Sequence, residues 1–402
     1  VRITADGAVT LSDADTFIFS NVERGSTGDS LGVFIDAQSL DVTDGAQIQT
    51  LVRGGLGETP AGEGNAGDIN INVQDGVTFA GSGFSEAEQR TLTSQALSAL
   101  DSGATGSAGN ITITGNSLSI SDGAELNTST FGNGDAGNIT IDIQDGINLS
   151  GFTDDGTSIF RSFIRSVVGF DATGNAGNIS ITGNSLALSN ITSINTSTFG
   201  NGDAGNISID IQDGINLERS SSIGSNVEQE GVGDAGNIDI QTGSLTLSNG
   251  SQIGTAVARS GFEIPGGIGN GGNIIINATD FVDISGVGSE QLELADTSGD
   301  PENTTGLIPT VGFSSGLVAN TEPGAMGDAG NITVTTESFR VADGAVVDSA
   351  TFNEGQGGNI VINANSLEAT GGGQILTTTS GSGNAGTIKI NVSDEINISG
   401  SD

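Results

Sequence analysis

The sequence predicts an all-β fold, a right-handed, three-sided parallel β-helix of about twelve rungs with one short flanking helix. A Gly-Asn-Ile motif recurs along almost the whole chain, with a shortest spacing of 28 residues. Each repeat divides into three short runs of alternating apolar and polar residues, separated by Gly, Asn and Asp, which is the pattern of strands and turns. Three strands per repeat are typical of a β-helix, and the rule for parallel crossovers predicts its hand.

A glycine precedes the first strand of each predicted rung and anchors the repeat. After a degenerate copy at Gly32, these anchors are Gly67, Gly109, Gly137, Gly177, Gly205, Gly236, Gly272, Gly330, Gly358 and Gly386. Two kinds of rung alternate, GNITITGNSLSISDGAEL and GNITIDIQDGINLSG, so the duplicated unit is a pair of rungs. The stretch TSTFGNGDAGNI is identical at residues 128–139 and 196–207.

The third strand predicts two internal columns. The aliphatic column contains Ile48, Leu126, Ile164, Ile194, Ile223, Ile253, Val347 and Ile375. Two residues later, on the same side of the strand, the hydroxyl column contains Thr50, Thr128, Ser166, Thr196, Ser225, Thr255, Ser349 and Thr377. The asparagines after the anchor glycines are expected to stack as well, with their amides hydrogen-bonded along the axis. They are Asn110, Asn138, Asn178, Asn206, Asn237, Asn273, Asn331 and Asn359.

We interpret residues 1–402 as one β-helix domain with insertions near 80–107, 151–160 and 287–325. In the first insertion, the segment 85–100 predicts the flanking helix, because Ser85 and Glu88 fit a capping box and Leu92, Ala96 and Leu100 form one stripe. Both ends of the chain fall within strand-like patterns, so we expect it to be a piece of a longer solenoid.

Composition excludes several classes of function. The chain has 49 acidic and 10 basic residues, a net charge of −39, and no Cys, His, Trp or Tyr. Nucleic acids and anionic membranes bind clustered Lys and Arg, so neither is an expected partner. No apolar run approaches the roughly 20 residues of a membrane-spanning helix. Without histidine or cysteine the chain also lacks the commonest catalytic base and all thiol chemistry.

The acidic turn GNGDAGN presents two alternatives. Its aspartates recur at one corner, so Asp135, Asp203, Asp234 and Asp328 are candidate calcium ligands. A calcium site needs six or more oxygen ligands. Gly and Asp also supply tight turns without any ligand, and we therefore predict turns at this corner, with no firm metal site and no cofactor.

One cluster invites a catalytic interpretation. Arg161 and Arg165 lie close in sequence to Asp154 and Asp155, and alternation places both arginines with Phe163 on the outer face of the third strand. Some β-helix enzymes that act on polysaccharides use acidic pairs in a groove. A local ion pair beside an aromatic ring explains the same residues, and we predict that the chain is not an enzyme.

The units AGNITI, SLSISDGAELNTSTFGNGD and AGNITIDIQDGINLSG resemble the repeats of filamentous-haemagglutinin-like exoproteins, especially the large cyanobacterial ones. The resemblance spans nearly the whole chain. It implies two-partner secretion across the outer membrane, a location outside the cell or on its surface, and a role in adhesion. It brings no catalytic residues. The family's N-terminal secretion domain is not recognisable in this chain.

We therefore predict a structural and adhesive repeat segment that acts as a rigid spacer and contact surface. The alternatives are a β-helix that binds or degrades polysaccharides, and a subunit of filaments formed by end-to-end stacking. Expected partners are cell-surface glycans or proteins, or neighbouring copies. The candidate contact strip consists of Phe131, Phe199, Phe352, Phe163, Arg161 and Arg165; the alternative for its phenylalanines is packing at the corners.

Overall fold

The chain winds into a parallel β-helix in which twelve rungs stack along one axis. The computed structural model describes residues 1–154, 158–261, 264–288 and 313–400, together with the short strands Gln291–Leu292 and Ile308–Pro309. Throughout this part of the chain the secondary structure consists of strands and turns, without a helix. It follows that no helix of the described residues could cross a membrane.

Each rung contributes a first and a second strand, and every described rung except the last also contributes a third. The first and second strands are Arg2–Thr4 and Val9–Ser12, Val33–Ala37 and Leu40–Thr43, Ile69–Val73 and Gly76–Ala80, Ile111–Gly115 and Ser117–Ser121, Ile139–Ile143 and Gly146–Ser150, then the continuous strands Ile179–Ser189, Ile207–Leu217, Ile238–Ser248 and Ile274–Ser285, then Ile332–Thr335 and Ser338–Ala342, and finally Ile360–Thr370 and Ile388–Ile398. The third strands are Phe17–Phe19, Gln47–Val52, Gln95–Leu100, Glu125–Asn127, Phe163–Arg165, Ser193–Asn195, Ser222–Gly224, Gln252–Gly254, Gly316–Val318, Val346–Asp348 and Gln374–Leu376.

Two parallel sheets enclose the core. The first and second strands form one sheet of 18 strands, which bends where the register shifts, as between Gly183 and Ser185. The third strands form a separate sheet of 11 strands. Neighbouring rungs pair in register, so that Leu126 is aligned with Ile164, and Ile164 with Ile194. Identical positions of successive rungs therefore form straight columns.

The predicted internal columns are confirmed. From Ile48 to Val347 the predicted aliphatic residues of the third strand are fully buried, and they belong to one continuous apolar cluster together with the inward residues of the other two faces. The hydroxyl column is equally buried from Thr50 to Ser349. In two rungs the insertions prevented prediction of the column residues. Ala96 and Leu317 occupy the aliphatic column there, and Ser98 and Ala319 occupy the hydroxyl column.

The hydroxyl column ties each third strand to the anchor glycines. Thr128 donates from Oγ1 to the carbonyl of Gly137 at 2.6 Å, and Ser166 donates to the same carbonyl at 2.8 Å. The Ser166 hydroxyl in turn accepts the amide hydrogen of Gly177 at 2.8 Å. These bonds cross the interior and satisfy backbone groups that would otherwise be buried without partners.

The predicted asparagine ladder is present and lies at the surface. Asn138 donates both its backbone N–H, at 2.9 Å, and its Nδ2, at 3.1 Å, to Oδ1 of Asn110 in the rung before. The same pair of bonds repeats in every rung up to Asn359. Because the ladder involves both backbone and side chain, it fixes the spacing between rungs.

The turn GNGDAGN is a packed corner. A Cβ added to Gly134 or Gly137 would overlap the carbonyl oxygen of the glycine one rung earlier, and the same holds for Gly202 and Gly205. Gly134 also has a φ of +148°, where a side chain is strained. Backbone stacks directly on backbone here, so the glycines are required by packing.

The predicted flanking helix is wrong. Ser82–Ser85 and Arg90–Thr93 form an antiparallel hairpin, and Gln95–Leu100 is the third strand of the Gly67 rung. The capping-box bond exists, since the Glu88 N–H donates to Ser85 Oγ at 2.9 Å, but it closes the hairpin turn. The spacing of Leu92, Ala96 and Leu100 is even and fits a strand as well as a helix, because every second strand residue faces the same way.

Two further antiparallel pairs occupy the equivalent corner, between the second and third strands. Phe152–Asp154 pairs with Ile159–Arg161 in the Gly137 rung, and Gln291–Leu292 pairs with Ile308–Pro309 in the Gly272 rung. Most of the predicted insertion at 287–325 lies outside the described residues. The excursions therefore leave the solenoid from one corner and border the face formed by the third strands.

Candidate functional site

The outer face of the third-strand sheet carries a groove between the first two hairpins. It has a volume of about 770 Å³, within the range of small-molecule pockets. The Gly109 rung, between the two hairpin-bearing rungs, turns this corner through the short Asp122–Gly123 pair. The hairpins consequently stand as two walls with a lower rung between them.

The floor of the groove is formed by outward side chains of four consecutive third strands. One column runs Gln47, Gln95 and Glu125, and the next runs Gln49, Leu97, Asn127 and Arg165. Neighbours within a column are about 4.8 Å apart, the spacing of adjacent strands. The floor therefore presents planar amide, carboxylate and guanidinium groups at a regular spacing.

The walls and far side add aromatic rings and further charge. Phe84, Gln89 and Arg90 come from the first hairpin and Phe160 from the second. Arg53, Asp101 and Phe131 close the side where the third strands end. Phe84 is 55% exposed, so its ring is accessible from the groove.

A hydrogen-bonded chain connects this side to the first hairpin. Arg53 donates from Nη2 to Gln49 Oε1 at 3.4 Å, Gln49 donates to Gln47, and Gln47 donates to the carbonyl of Thr93 at 3.1 Å. Gln47 and Gln49 are 2% and 6% exposed even though they point outward, because the hairpin covers them. The floor is thus held in one conformation by the wall above it.

Arg165 lies on the floor in an ion pair with Glu125 of the preceding rung. The distance from its Nη2 to Glu125 Oε2 is 2.9 Å, and both side chains are about nine-tenths buried, at 14% and 13% exposure. The guanidinium also lies over the Phe163 ring, 5.5 Å from its centroid. The ion pair with a neighbouring aromatic that the sequence suggested does form, but its acid comes from the adjacent rung.

The structure separates Arg161 from Arg165. Phe163 and Arg165 lie on the outer face of the third strand as predicted, but Arg161 lies on the second hairpin, paired with Phe152. The prediction that both arginines lie on the third strand is wrong, because Arg161 is the last residue of the hairpin strand and the third strand begins at Phe163. Burial lowers the pKa of Arg161 to about 10.

Of the acidic members of that cluster, only Asp154 lies among the described residues. Asp154 pairs in register with Ile159 across the second hairpin and is exposed. Asp155 lies outside the described residues. The acid that the described residues show paired with Arg165 is Glu125.

The predicted phenylalanine strip divides into three separate places. Phe131 lines the groove, with its ring against Gly169 of the next rung. The Phe199 ring packs on Phe170, with centroids 5.1 Å apart. Phe352 lies several rungs further along and is 40% exposed. Within the strip, only Phe131 contributes to the groove together with Arg165.

The four candidate calcium ligands belong to a corner ladder. Asp135 Oδ1 accepts the N–H of Asn175 at 2.8 Å, Asp203 accepts that of Asp234, Asp234 that of Asn270, and Asp328 that of Gln356 at 2.7 Å. Asparagine thus separates Asp135 from Asp203 and Asp234 from Asp328. The described residues include no group of three or more acids that could hold a metal ion. These contacts give the aspartates a backbone partner and support the turn interpretation.

A smaller depression of about 260 Å³ lies further along the same face. Small residues such as Gly224, Gly254 and Ala256 form its floor, and Glu228 and Glu322 border it. Burial raises the pKa of Glu228, and the nearby Glu322 carboxylate raises it further, against hydrogen bonds from Asn226 and Ser197 that lower it.

Sequence reasoning missed the amides of the floor. Gln47, Gln49, Gln95 and Asn127 occupy outward positions of third strands next to insertions. The sequence does contain an indication of these amides. Strand alternation places them on the outer face, at positions where neighbouring rungs carry small or charged residues. For Gln95 the alternation gives no such indication, because the segment 85–100 predicts a helix.

Comparisons of the chain with protein-family models, curated proteins and solved structures gave no match.

Proposed function

We propose that this chain is a structural repeat segment of an exported cell-surface protein, which acts as a rigid spacer and presents a contact surface on its third-strand face. The observation that carries the proposal is the unbroken surface ladder from Asn110 to Asn359, which ties each rung to the next by backbone and side chain. From the Gly109 rung to the Gly358 rung, each rung is joined to the next by these bonds, which oppose bending between rungs.

Two features of the sequence support the surface location. The chain has no cysteine, which suits export in an unfolded state, and its charge of −39 favours solubility outside the cell. Its repeats are similar to those of filamentous-haemagglutinin-like exoproteins. Each added rung extends such a spacer by about 4.8 Å.

Rigidity is tested by a distance measurement between two spin labels. Thr10→Cys and Thr246→Cys place labels in one outward column, seven rungs apart through Asp41, Thr78, Ser119, Asn148, Ala187 and Asn216. The absence of native cysteine makes labelling specific. We expect a narrow double electron–electron resonance distribution centred near about 34 Å; a broad distribution would contradict the spacer.

Surface location is tested on the producing cells. Antibodies raised against the folded chain should label intact cells, and external protease should remove the signal. Labelling that appears only after the cells are permeabilised would overturn this part of the proposal, whatever the result of the distance measurement.

A further inference from the structure

We infer that the groove between the two hairpins binds a saccharide chain that carries sparse carboxylate groups. The inference names a ligand class for the contact surface and therefore rests on the proposed function. Three observations support it: the charge of the groove, the polar and aromatic side chains that line it, and the paired backbone of its floor.

Charge distinguishes the groove from the rest of the molecule. The whole chain has 10 basic and 49 acidic residues. The groove is lined by three arginines, Arg53, Arg90 and Arg165, against two acids, Asp101 and Glu125. Arg165 pairs with Glu125 and Arg90 with Glu88. Among the described residues Arg53 forms no ion pair, and its hydrogen bond to Gln49 is long, at 3.4 Å. Arg53 is thus the cation best placed to receive a ligand carboxylate.

The rest of the lining suits hydroxyl groups. Carboxamides and guanidinium groups offer donors and acceptors in fixed planes. Gln89, Gln95 and Arg165 supply them to the groove, whereas Gln47 and Asn127 are each 2% exposed and bonded within the chain. Phe84, Phe131 and Phe160 offer ring surfaces against which the apolar faces of sugar rings can pack. A ligand that alternates hydroxyl groups with apolar ring faces matches both.

The backbone of the floor argues against an extended peptide. Peptides that add to a sheet need an edge with unpaired N–H and C=O groups. The floor is the face of a sheet, and its strands Gln47–Val52, Gln95–Leu100 and Glu125–Asn127 are already paired with one another. Recognition must therefore use side chains.

The net charge limits how acidic the ligand can be. A densely sulfated polysaccharide or a nucleic acid would be repelled by the field of a chain at −39, and it would need many more cations than three. A ligand with one carboxylate per few sugars is repelled much less, and Arg53 can pair with that carboxylate. Sparse carboxylates are therefore the charge pattern that fits.

Calorimetric titration of the whole chain tests the inference with three octasaccharides: hyaluronan, in which hexuronic acid alternates with a neutral amino sugar, a neutral chitin fragment, and heparin. We expect hyaluronan to bind most tightly and heparin not to bind. Arg53→Gln should weaken hyaluronan binding at least about tenfold, as expected for the loss of a charged hydrogen bond. Arg90→Gln and Phe84→Ser, both exposed changes, should also weaken it. Arg219→Gln, the same charge change on an exposed residue outside the groove, is the matched control.

Three outcomes would overturn the inference: no binding of any of the three probes, tightest binding of heparin, or equal hyaluronan binding by Arg53→Gln and Arg219→Gln. Thermal unfolding of each variant shows whether it has folded. Arg90→Gln keeps the test open if Arg53→Gln does not fold. A failure here leaves the label distances and cell labelling unaffected, so it is separable from a failure of the proposed spacer.

Discussion

At the scale of single residues, the two kinds of rung differ in how the next anchor glycine is satisfied. In the rungs that begin at Gly67, Gly137 and Gly205, the hydroxyl of the column residue accepts the glycine N–H; these residues are Ser98, Ser166 and Ser225. In rungs of the other kind the backbone carbonyl of the column residue accepts it, at Thr128, Thr196, Thr255 and Ser349, whereas the last of these rungs uses a hydroxyl, that of Thr377. The alternation seen in the sequence is therefore an alternation of hydrogen-bond partners in the core. It also explains why Ala319 is tolerated, since its backbone carbonyl accepts the N–H of Gly330.

Because of this difference, replacing two serines of the hydroxyl column by alanine should lower the stability by different amounts. In Ser225→Ala the N–H of Gly236 loses its acceptor inside the core, and we expect a loss of about 1–3 kcal/mol in the free energy of unfolding. In Ser349→Ala the N–H of Gly358 keeps the backbone carbonyl of residue 349, so the loss should be smaller. Urea unfolding measures both, with the exposed Ser208→Ala as control. Equal losses at 225 and 349 would contradict the assignment.

Glu228 should make stability depend on pH. Its pKa is raised chiefly by burial, so the folded state binds the proton more tightly than the unfolded state. The unfavourable contribution is present above the raised pKa, and it is relieved as the pH falls through that value towards the ordinary 4.5.

We therefore expect Glu228→Gln to raise the melting temperature at pH 7 and to have little effect below pH 4.5. Calorimetry at both pH values measures the difference. Glu230→Gln, the same charge change at an exposed site, is the control for the overall acidity. A stabilisation of the same size at both pH values would exclude relief of a buried charge.

At the scale of elements, the hairpins are what convert one stretch of a regular face into a groove. The first hairpin is fixed to the solenoid by Ser85, whose hydroxyl donates to Asp15 at 2.5 Å. This bond is the main reason that the pKa of Asp15 is lowered. Gln47 holds the other end through Thr93.

The Gly109 rung shows how the corner is built without a hairpin. Ser121 pairs with Ala80 and Glu125 with Gln95, so Asp122, Gly123 and Ala124 occupy the place of residues 81–94. Replacing 81–94 by Asp-Gly-Ala removes the hairpin strands Ser82–Ser85 and Arg90–Thr93, and with them the wall of the groove, but should keep the strands of the solenoid.

Far-ultraviolet circular dichroism and urea unfolding check the fold of this variant, and titration with hyaluronan octasaccharide checks the groove. We expect a strand spectrum like that of the parent and binding weakened at least about tenfold, as for Arg53→Gln. Undiminished binding would place the site elsewhere, and a loss of strand signal would show that the hairpin is needed for folding.

The rungs could be predicted from sequence because equivalent positions of successive rungs have the same environment and therefore similar residues. Ile164 and Ser166 are recognisable in this way by comparison with Leu126 and Thr128. The groove could not be predicted to the same degree. Its parts come from different rungs and from hairpins that have no counterpart in the repeat. An apolar spacing of four residues, as in Leu92 and Ala96, does not distinguish a strand from a helix. The partner of Arg165 depends on register between rungs and not on nearness in sequence.

At the scale of the whole molecule, the rung pair is an exchangeable unit. Residues 128–136 and 196–204 are identical. Gly137 donates its N–H to the carbonyl of Thr128, and Gly205 donates its N–H to the carbonyl of Thr196. Deleting residues 137–204 joins Ala136 to Gly205 and should restore every column.

We expect this deletion to shorten the particle by about 10 Å, two rungs at about 4.8 Å each, without loss of cooperative folding. Small-angle scattering measures the length and circular dichroism the strand content. A chain that unfolds or does not shorten would show that the rungs are not equivalent.

The direction of the asparagine ladder has a consequence for the whole stack. In every step the later rung donates N–H and Nδ2 to the Oδ1 of the earlier one, and the corner ladder through Asp203 and Asp234 runs the same way. The stack therefore has an axial polarity: each completed turn presents a row of fixed acceptors to the turn that follows it in the chain. A turn that has formed is a template for the turn that follows it in the chain, so order can spread from rung to rung wherever folding begins.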